Sequence, residues 1–170
     1  EINKDNNKWG FANYKGNMVI DYQYDMVGNF VDGIAGVVKD GKIGYINKNN
    51  EFIIEPKYSY ESSTTLLDYS CGLVRGYGSD SNKFFDTTGK EAFSVSYSKV
   101  GSFVEDRAMF KDNDKYGFID KDGKKVIDNK YESVSNFSDG LALVMTDKES
   151  FEFIDYDGNT ILEGKIIDKE

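Results

Sequence analysis

The feature that most constrains the fold of this chain is one short phrase, written five times along it. The phrase reads "KWGFANYKGNMVI" from Lys8 to Ile20 and "KYGFIDKDGKKVI" from Lys115 to Ile127. The copies, at spacings of 34, 39, 34 and 35 residues, align on one aromatic column: Phe11, Tyr45, Phe84, Phe118 and Phe153. A period of this length indicates one supersecondary unit per copy, stabilised by stacking on its neighbours. We therefore expect the aromatic column to be buried.

Each phrase has the pattern of a β-hairpin. Two residues after the aromatic column, every copy has an Asn or Asp: Asn13, Asn47, Asp86, Asp120 and Asp155. The turns "NYKGN", "NKNNE", "DTTGK", "DKDGK" and "DYDGN" then supply a Gly, or Asn50, for a left-handed backbone position. An apolar pair such as Val19-Ile20 or Val126-Ile127 follows each turn and predicts the second strand.

A second half follows the hairpin, with the pattern Tyr-x-x-Val-x-x-Phe and then another apolar stretch. Its period of three fits neither a strand nor a long helix, and predicts an irregular or single-turn connection whose aromatic residues fill the space between neighbouring units. The apolar stretch predicts a half-buried third strand with one inward column: Ala35, Val74, Ala108 and Ala142. The second copy differs, because it inserts residues around "SSTTLLD" between Tyr58 and Tyr69.

These columns resemble the bacterial WG-repeat family, whose signature pair is Trp9-Gly10 here. The Trp position changes to Ile43, Asn82, Tyr116 and Phe151, and the Gly position changes to Lys83 and Glu152. The resemblance covers Lys8 to about Leu162. It implies a β-rich tandem module, and it brings no catalytic residues with it.

The pattern predicts an all-β protein of tandem hairpins or three-stranded meanders, with repeats starting near residues 8, 42, 81, 115 and 150, the last one partial. We expect residues 1–170 to form a single domain. The first hairpin lacks a preceding third strand in the pattern. An open, solenoid-like array is favoured, because about 34 residues is short for a propeller blade. A small five-bladed propeller is the alternative.

Charge and composition exclude several functions. The net charge is −9 and there is no basic cluster, which argues against nucleic-acid binding. No stretch approaches the roughly 18 apolar residues of a spanning helix, so this segment is not expected to insert into a membrane. The sequence has no His, and Cys71 occupies a turn position shared with Asp32 and Asp139. We therefore expect no enzymatic activity.

Hairpin chemistry explains the paired turn carboxylates better than a metal site does. "DKDG" at Asp120 and "DYDG" at Asp155 resemble the opening of a calcium loop. The further ligands and flanking helices of an EF-hand are missing around Asp122 and Asp157. We predict no metal and no cofactor.

The remaining candidates are binding residues. Trp9 and Tyr116 share one repeat column, and Tyr60, Arg75 and Tyr77 lie in or beside the insertion. Further aromatic residues stand outside the repeat columns: Tyr14, Tyr22 and Tyr156. They favour a non-enzymatic bacterial module for a protein or peptide partner; a cell-envelope glycan is the alternative ligand. An exported or cell-surface protein is the favoured localisation, and a cytoplasmic one is the alternative.

Overall fold

The computed structural model describes residues 2–3, 7–60, 69–76 and 82–166, and these form five small sheets without any helix. The strands of each sheet follow one another in chain order. The first sheet holds β1 (Ile2–Asn3), β2 (Lys8–Ala12) and β3 (Met18–Tyr24). The second holds β4 (Met26–Val27), β5 (Ile34–Lys39), β6 (Lys42–Asn47) and β7 (Phe52–Ser59). The all-β tandem-repeat prediction is confirmed.

The other three sheets repeat the four-stranded plan. The third holds β8 (Tyr69–Ser70), β9 (Leu73–Arg75), β10 (Lys83–Phe85) and β11 (Glu91–Ser94). The fourth holds β12 (Lys99–Val100), β13 (Ala108–Asp112), β14 (Lys115–Ile119) and β15 (Lys125–Tyr131). The fifth holds β16 (Ser133–Val134), β17 (Ala142–Met145), β18 (Ser150–Ile154) and β19 (Thr160–Lys165). The chain divides into two compact units, residues 1–81 with 85–91 and residues 82–84 with 92–170. Both the single domain and the choice between an open array and a ring stay predictions.

Two sequence predictions about strands are wrong. The Tyr-x-x-Val-x-x-Phe connection is not wholly irregular, because its Val lies in the two-residue strands β4, β12 and β16, each paired with the strand that follows. A strand of two residues is too short to show the alternating pattern by which strands are recognised in sequence. The first hairpin also has a preceding strand, since Ile2 of β1 pairs with Trp9 of β2.

The signature glycine is explained by a bulge in the second hairpin strand. Trp9 pairs with Tyr24, and Phe11 pairs with Ile20. The three residues of β3 between Ile20 and Tyr24 therefore lie opposite one residue of β2, Gly10. A Cβ on Gly10 would lie 2.5 Å from the Ile20 carbonyl oxygen. Gly44 and Gly117 face the same obstruction. In the fifth sheet Glu152 replaces the glycine. Around Glu152 the strands β18 and β19 pair residue by residue, without a bulge. The glycine is therefore needed where the partner strand bulges.

The opening residue of each hairpin turn bonds to the turn's own backbone. The Oδ1 of Asp120 accepts hydrogen bonds from the amides of Asp122 at 3.0 Å and Lys124 at 2.9 Å. The same pair of bonds recurs at every copy of the turn: Asn13, Asn47, Asp86 and Asp155. These oxygens therefore serve as turn caps.

The core lies between successive sheets of a unit. Ile20 of the first sheet packs with Ala35, Val37 and Ile46 of the second. Tyr45, Phe84 and Phe118 are buried as predicted. The inward column is also buried: Ala35, Val74, Ala108 and Ala142. Phe11 and Phe153 are only half-buried, which corrects the prediction for the first and last repeats.

Candidate functional site

The clearest candidate site is a shallow groove of about 450 Å³ along the first repeat. One side is built from β2 and the turn after it, and the other from the end of β4 and the residues that follow. We call it the Trp9 groove, and it is lined by Trp9, Gly10, Phe11, Ala12, Asn13, Tyr14, Gly16, Val27, Gly28 and Asn29. Two elements that are separate in sequence therefore form it.

Aromatic rings and backbone dominate this lining. Trp9 is half-buried, while Tyr14 is 94% exposed, with the Lys15 ammonium 5.6 Å from its ring centroid. Phe11 packs against Phe30 with ring centroids 4.7 Å apart. Three of the ten lining residues are glycines, and the amides of Gly16 and Gly28 donate to the carbonyls of Asn13 and Gly36. The groove thus offers mainly aromatic and apolar surface.

No lining residue among those described carries a formal charge, although the chain has a net charge of −9. Two lysines adjoin the lining in sequence: the Lys15 ammonium lies 5.6 Å from the Tyr14 ring centroid, and Lys8 forms an ion pair with Asp25. The hydrogen bond from Lys8 lowers the pKa of Asp25 and, reciprocally, raises the pKa of Lys8. The groove therefore suits a ligand whose contacting part is uncharged.

A second polar cluster ties adjacent repeats together within residues 92–166. The Glu105 carboxylate accepts hydrogen bonds from the amides of Asp139 at 2.8 Å and Gly140 at 3.0 Å. It also accepts one from the Tyr156 hydroxyl at 2.8 Å. The Arg107 guanidinium lies 5.4 Å from the centroid of the Tyr156 ring. The bond from the Gly140 amide is the largest influence lowering the pKa of Glu105, followed by the Tyr156 hydroxyl.

This cluster explains Tyr156 as a structural residue. Its ring stacks on Phe137 at 4.9 Å and its hydroxyl is bound to Glu105, so its polar and apolar parts both have partners. Glu105 and Asp106 occupy the two left-handed positions of a turn that Asp139 and Gly140 occupy in the next repeat. The missing glycine in "EDR" was the only sequence signal that this turn differs.

The structure separates the predicted binding residues. Trp9 lines the groove, whereas Tyr116 pairs with Tyr131 in the other unit and has the Lys111 ammonium 5.5 Å from its ring centroid. Arg75 is half-buried in β9. Tyr77 and the residues of the insertion from 61 to 68 lie outside the described residues.

Tyr60, predicted as a binding residue at the insertion, contacts the core of the second sheet. It packs against the cluster formed by Tyr45, Ile54 and neighbouring residues, and its hydroxyl lies 3.1 Å from the Met26 sulfur. Tyr14 meets the expectation of an exposed aromatic outside the repeat columns. Val27 and Asn29 were missed, because only the folded chain brings them beside Trp9.

Among the described residues no group of three or more Asp, Glu or Cys is placed to hold a metal ion. The part of the chain that the structure describes has no helix that could cross a membrane.

Comparison with known proteins gives a family match over most of the chain. A family model described as "WG containing repeat" matches residues 9–42, 43–74, 84–116 and 116–149. No curated protein matches. Among solved structures, the chain is similar to BamB from Moraxella catarrhalis, with 15% identity and a TM-score of 0.42. The alignment covers 89% of this chain and 56% of that one.

Proposed function

The chain belongs to the WG containing repeat family, and we propose that it is a non-enzymatic repeat module that binds a segment of a partner protein in the Trp9 groove. The observation that carries this proposal is the contrast between the groove and the rest of the chain. An uncharged aromatic lining stands in a protein with a net charge of −9. Repeat scaffolds use their shared residues for packing and their differing residues for recognition.

Trp9 and Tyr14 are the two differing residues that matter most. Their columns hold Ile43 and Lys48 in the second repeat. The fifth repeat has aromatic residues in both columns, Phe151 and Tyr156, but Tyr156 is held by Glu105 and Phe137, whereas Tyr14 is 94% exposed. Trp and Tyr supply large apolar area with a polar edge, and they dominate binding energies at protein interfaces. An apolar or aromatic side chain of the partner would stack on these two rings.

The acidic remainder of the surface favours a partner with basic residues beside the docking segment. Opposite net charges raise the association rate, and salt screens that effect. A peptide with an apolar centre and Lys or Arg at its ends meets both requirements.

A glycan of the cell envelope is the second candidate. Trp9 and Tyr14 offer ring faces for stacking on a sugar, and the Asn13 and Asn29 side chains lie among the lining residues. An uncharged glycan would bind with little dependence on ionic strength, because it releases few counterions. Salt dependence therefore distinguishes the two ligands.

Trp9 is the one Trp of the chain, so its fluorescence reports on the groove directly. We would titrate the protein with a short peptide carrying a Leu-Tyr-Leu centre between Lys residues, and separately with oligosaccharides of glucose and of N-acetylglucosamine. We expect the peptide to shift the Trp9 emission, and added salt to weaken its binding. A shift with an oligosaccharide alone would favour the glycan.

Matched variants locate the site. Tyr14→Ala should weaken peptide binding by about fivefold or more, since a stacked aromatic contributes on the order of 1 kcal/mol. Tyr116→Ala, in the same column as Trp9 but in the other unit, should leave the affinity unchanged. Equal affinities for wild type and Tyr14→Ala would contradict the proposal.

A further inference from the structure

The last sheet presents an apolar face whose counterparts in earlier sheets are covered. In each hairpin the aromatic column pairs with the second apolar residue after the turn: Phe11 with Ile20, Tyr45 with Ile54, and Phe118 with Ile127. Ile20, Ile54 and Ile127 keep only 3%, 6% and 5% of their surface. These pairs define the stacking face of a sheet.

The covering residues come from the next sheet and share one chemistry. Phe118 and Ile127 cluster with Ala142, Val144 and Ile154 of the fifth sheet. Ile20 clusters in the same way with Ala35, Val37 and Ile46 of the second. In these two interfaces the covering sheet contributes an Ala-x-Val strand and an Ile from the following strand, whereas the third sheet covers Ile54 with Val74 and Phe85. Small and β-branched side chains let the two sheets approach closely.

In the fifth sheet the corresponding pair is Phe153 with Leu162, and Leu162 is 58% exposed. Leu143 pairs with Phe153 from the other side and is 37% exposed. The next row on the same face joins Met145 to Phe151, whose ring covers Gly164. We call Leu143, Met145, Phe151, Phe153 and Leu162 the terminal face.

We propose that the terminal face is a docking surface for one further sheet of the WG type, which covers it with an Ala-x-Val strand and an Ile. The face continues the stacking interface already formed within each unit, and it repeats that interface's residue types at the same register positions. Covering a sheet in this way removes a Leu or Ile side chain from water, and this loss of apolar surface stabilises the stack.

A second copy of this chain is a poorer occupant. The first sheet has β1 of two residues where the second has β5 of six, so within the described residues it presents no Ala-x-Val strand to the terminal face. A sheet with an apolar strand as long as β5 fits the terminal face better.

The test supplies that sheet and measures whether it covers Leu162. A copy of residues 133–165, which contains β16 to β19, would be joined after Lys165 of the full chain. The readout is the relaxation of methyl NMR signals by a soluble paramagnetic probe. In the unmodified chain the probe should relax the Leu162 methyl groups strongly and those of buried Ile127 weakly. In the extended chain, relaxation of the original Leu162 should fall several-fold, toward the level of Ile127.

A variant of the extension provides the matched control. Replacing the copied Ala142 and Val144 by Asp should restore strong relaxation of Leu162, because charged side chains cannot be buried against Phe153. Unchanged relaxation in the extended chain would overturn the proposal, as would an extension that stays unfolded on a folded chain. Relaxation that falls with concentration in the unmodified chain would assign the face to a second copy instead.

Discussion

Tyr156 donates its hydroxyl hydrogen to the Glu105 carboxylate at 2.8 Å, across 51 residues of sequence. The same carboxylate accepts hydrogen bonds from the amides of Asp139 and Gly140. One side chain in a turn of the fourth sheet therefore holds both a turn and a tyrosine of the fifth. The link lies outside the repeat pattern.

This link predicts a pH-dependent contribution to stability. Hydrogen bonds from Gly140, Tyr156 and Asp139 lower the pKa of Glu105 in the folded state. The unfolded chain then binds more protons as the pH falls, so the contribution is present above the ordinary Glu pKa and disappears as the pH falls through the folded one. We expect wild type to melt above Glu105→Gln at neutral pH, and the difference to shrink below about pH 4.

The Tyr156→Phe variant serves as the control, because it removes one donor and leaves the two amides. In that background the neutral-pH cost of Glu105→Gln should be smaller, as expected for coupled groups. A melting-temperature difference that stays constant from neutral to acidic pH would show that the Glu105 carboxylate gains nothing from these bonds.

The signature glycine gives a second prediction. In Gly117→Ala the new Cβ would lie 2.4 Å from the Ile127 carbonyl oxygen and 2.8 Å from the Asn129 amide nitrogen. The bulged strand must move, so we expect a loss of about 1–3 kcal/mol in the free energy of unfolding. Glu152→Ala in the same column, where the partner strand does not bulge, should cost less than about 1 kcal/mol. Urea unfolding compares them, and equal costs would reject the bulge as the reason for the glycine.

The repeat columns could be predicted because packing imposes them at every copy. Burial of Tyr45, Phe84 and Phe118 follows from one aromatic column at a fixed period. The half-burial of Phe11 and Phe153 did not follow, since a residue in the first or last copy has the same letters and fewer neighbours.

The candidate site was predictable only in part, for a physical reason. Trp9 stands out in sequence because no other repeat has a Trp in its column, whereas Tyr14 shares its column with Tyr156. Val27 and Asn29 become neighbours of Trp9 through the packing of the second sheet on the first, which no local pattern records. The hydrogen bond between Glu105 and Tyr156 could not be predicted from the sequence for the same reason.

The hairpin turns give a third prediction. Asp120→Ala removes the oxygen that accepts the amides of Asp122 and Lys124, and we expect it to cost about 1–2 kcal/mol. Asp120→Asn keeps that oxygen, as Asn13 and Asn47 do at the same position, and should cost less than about 0.5 kcal/mol. Denaturant titrations measure both variants. If Asn proved as costly as Ala, the negative charge rather than the cap would be the stabilising feature.

The measurement that most directly tests burial of each sheet by the next is a comparison of Phe118→Ala with Phe153→Ala. The two residues share one column, but Phe118 is 1% exposed beneath the fifth sheet, while Phe153 is half-buried on the terminal face. We predict that Phe118→Ala lowers the free energy of unfolding by about 3–5 kcal/mol in urea, and that Phe153→Ala lowers it by less than half as much. Equal losses, or a loss below about 1 kcal/mol for Phe118→Ala, would contradict stacking as the source of stability.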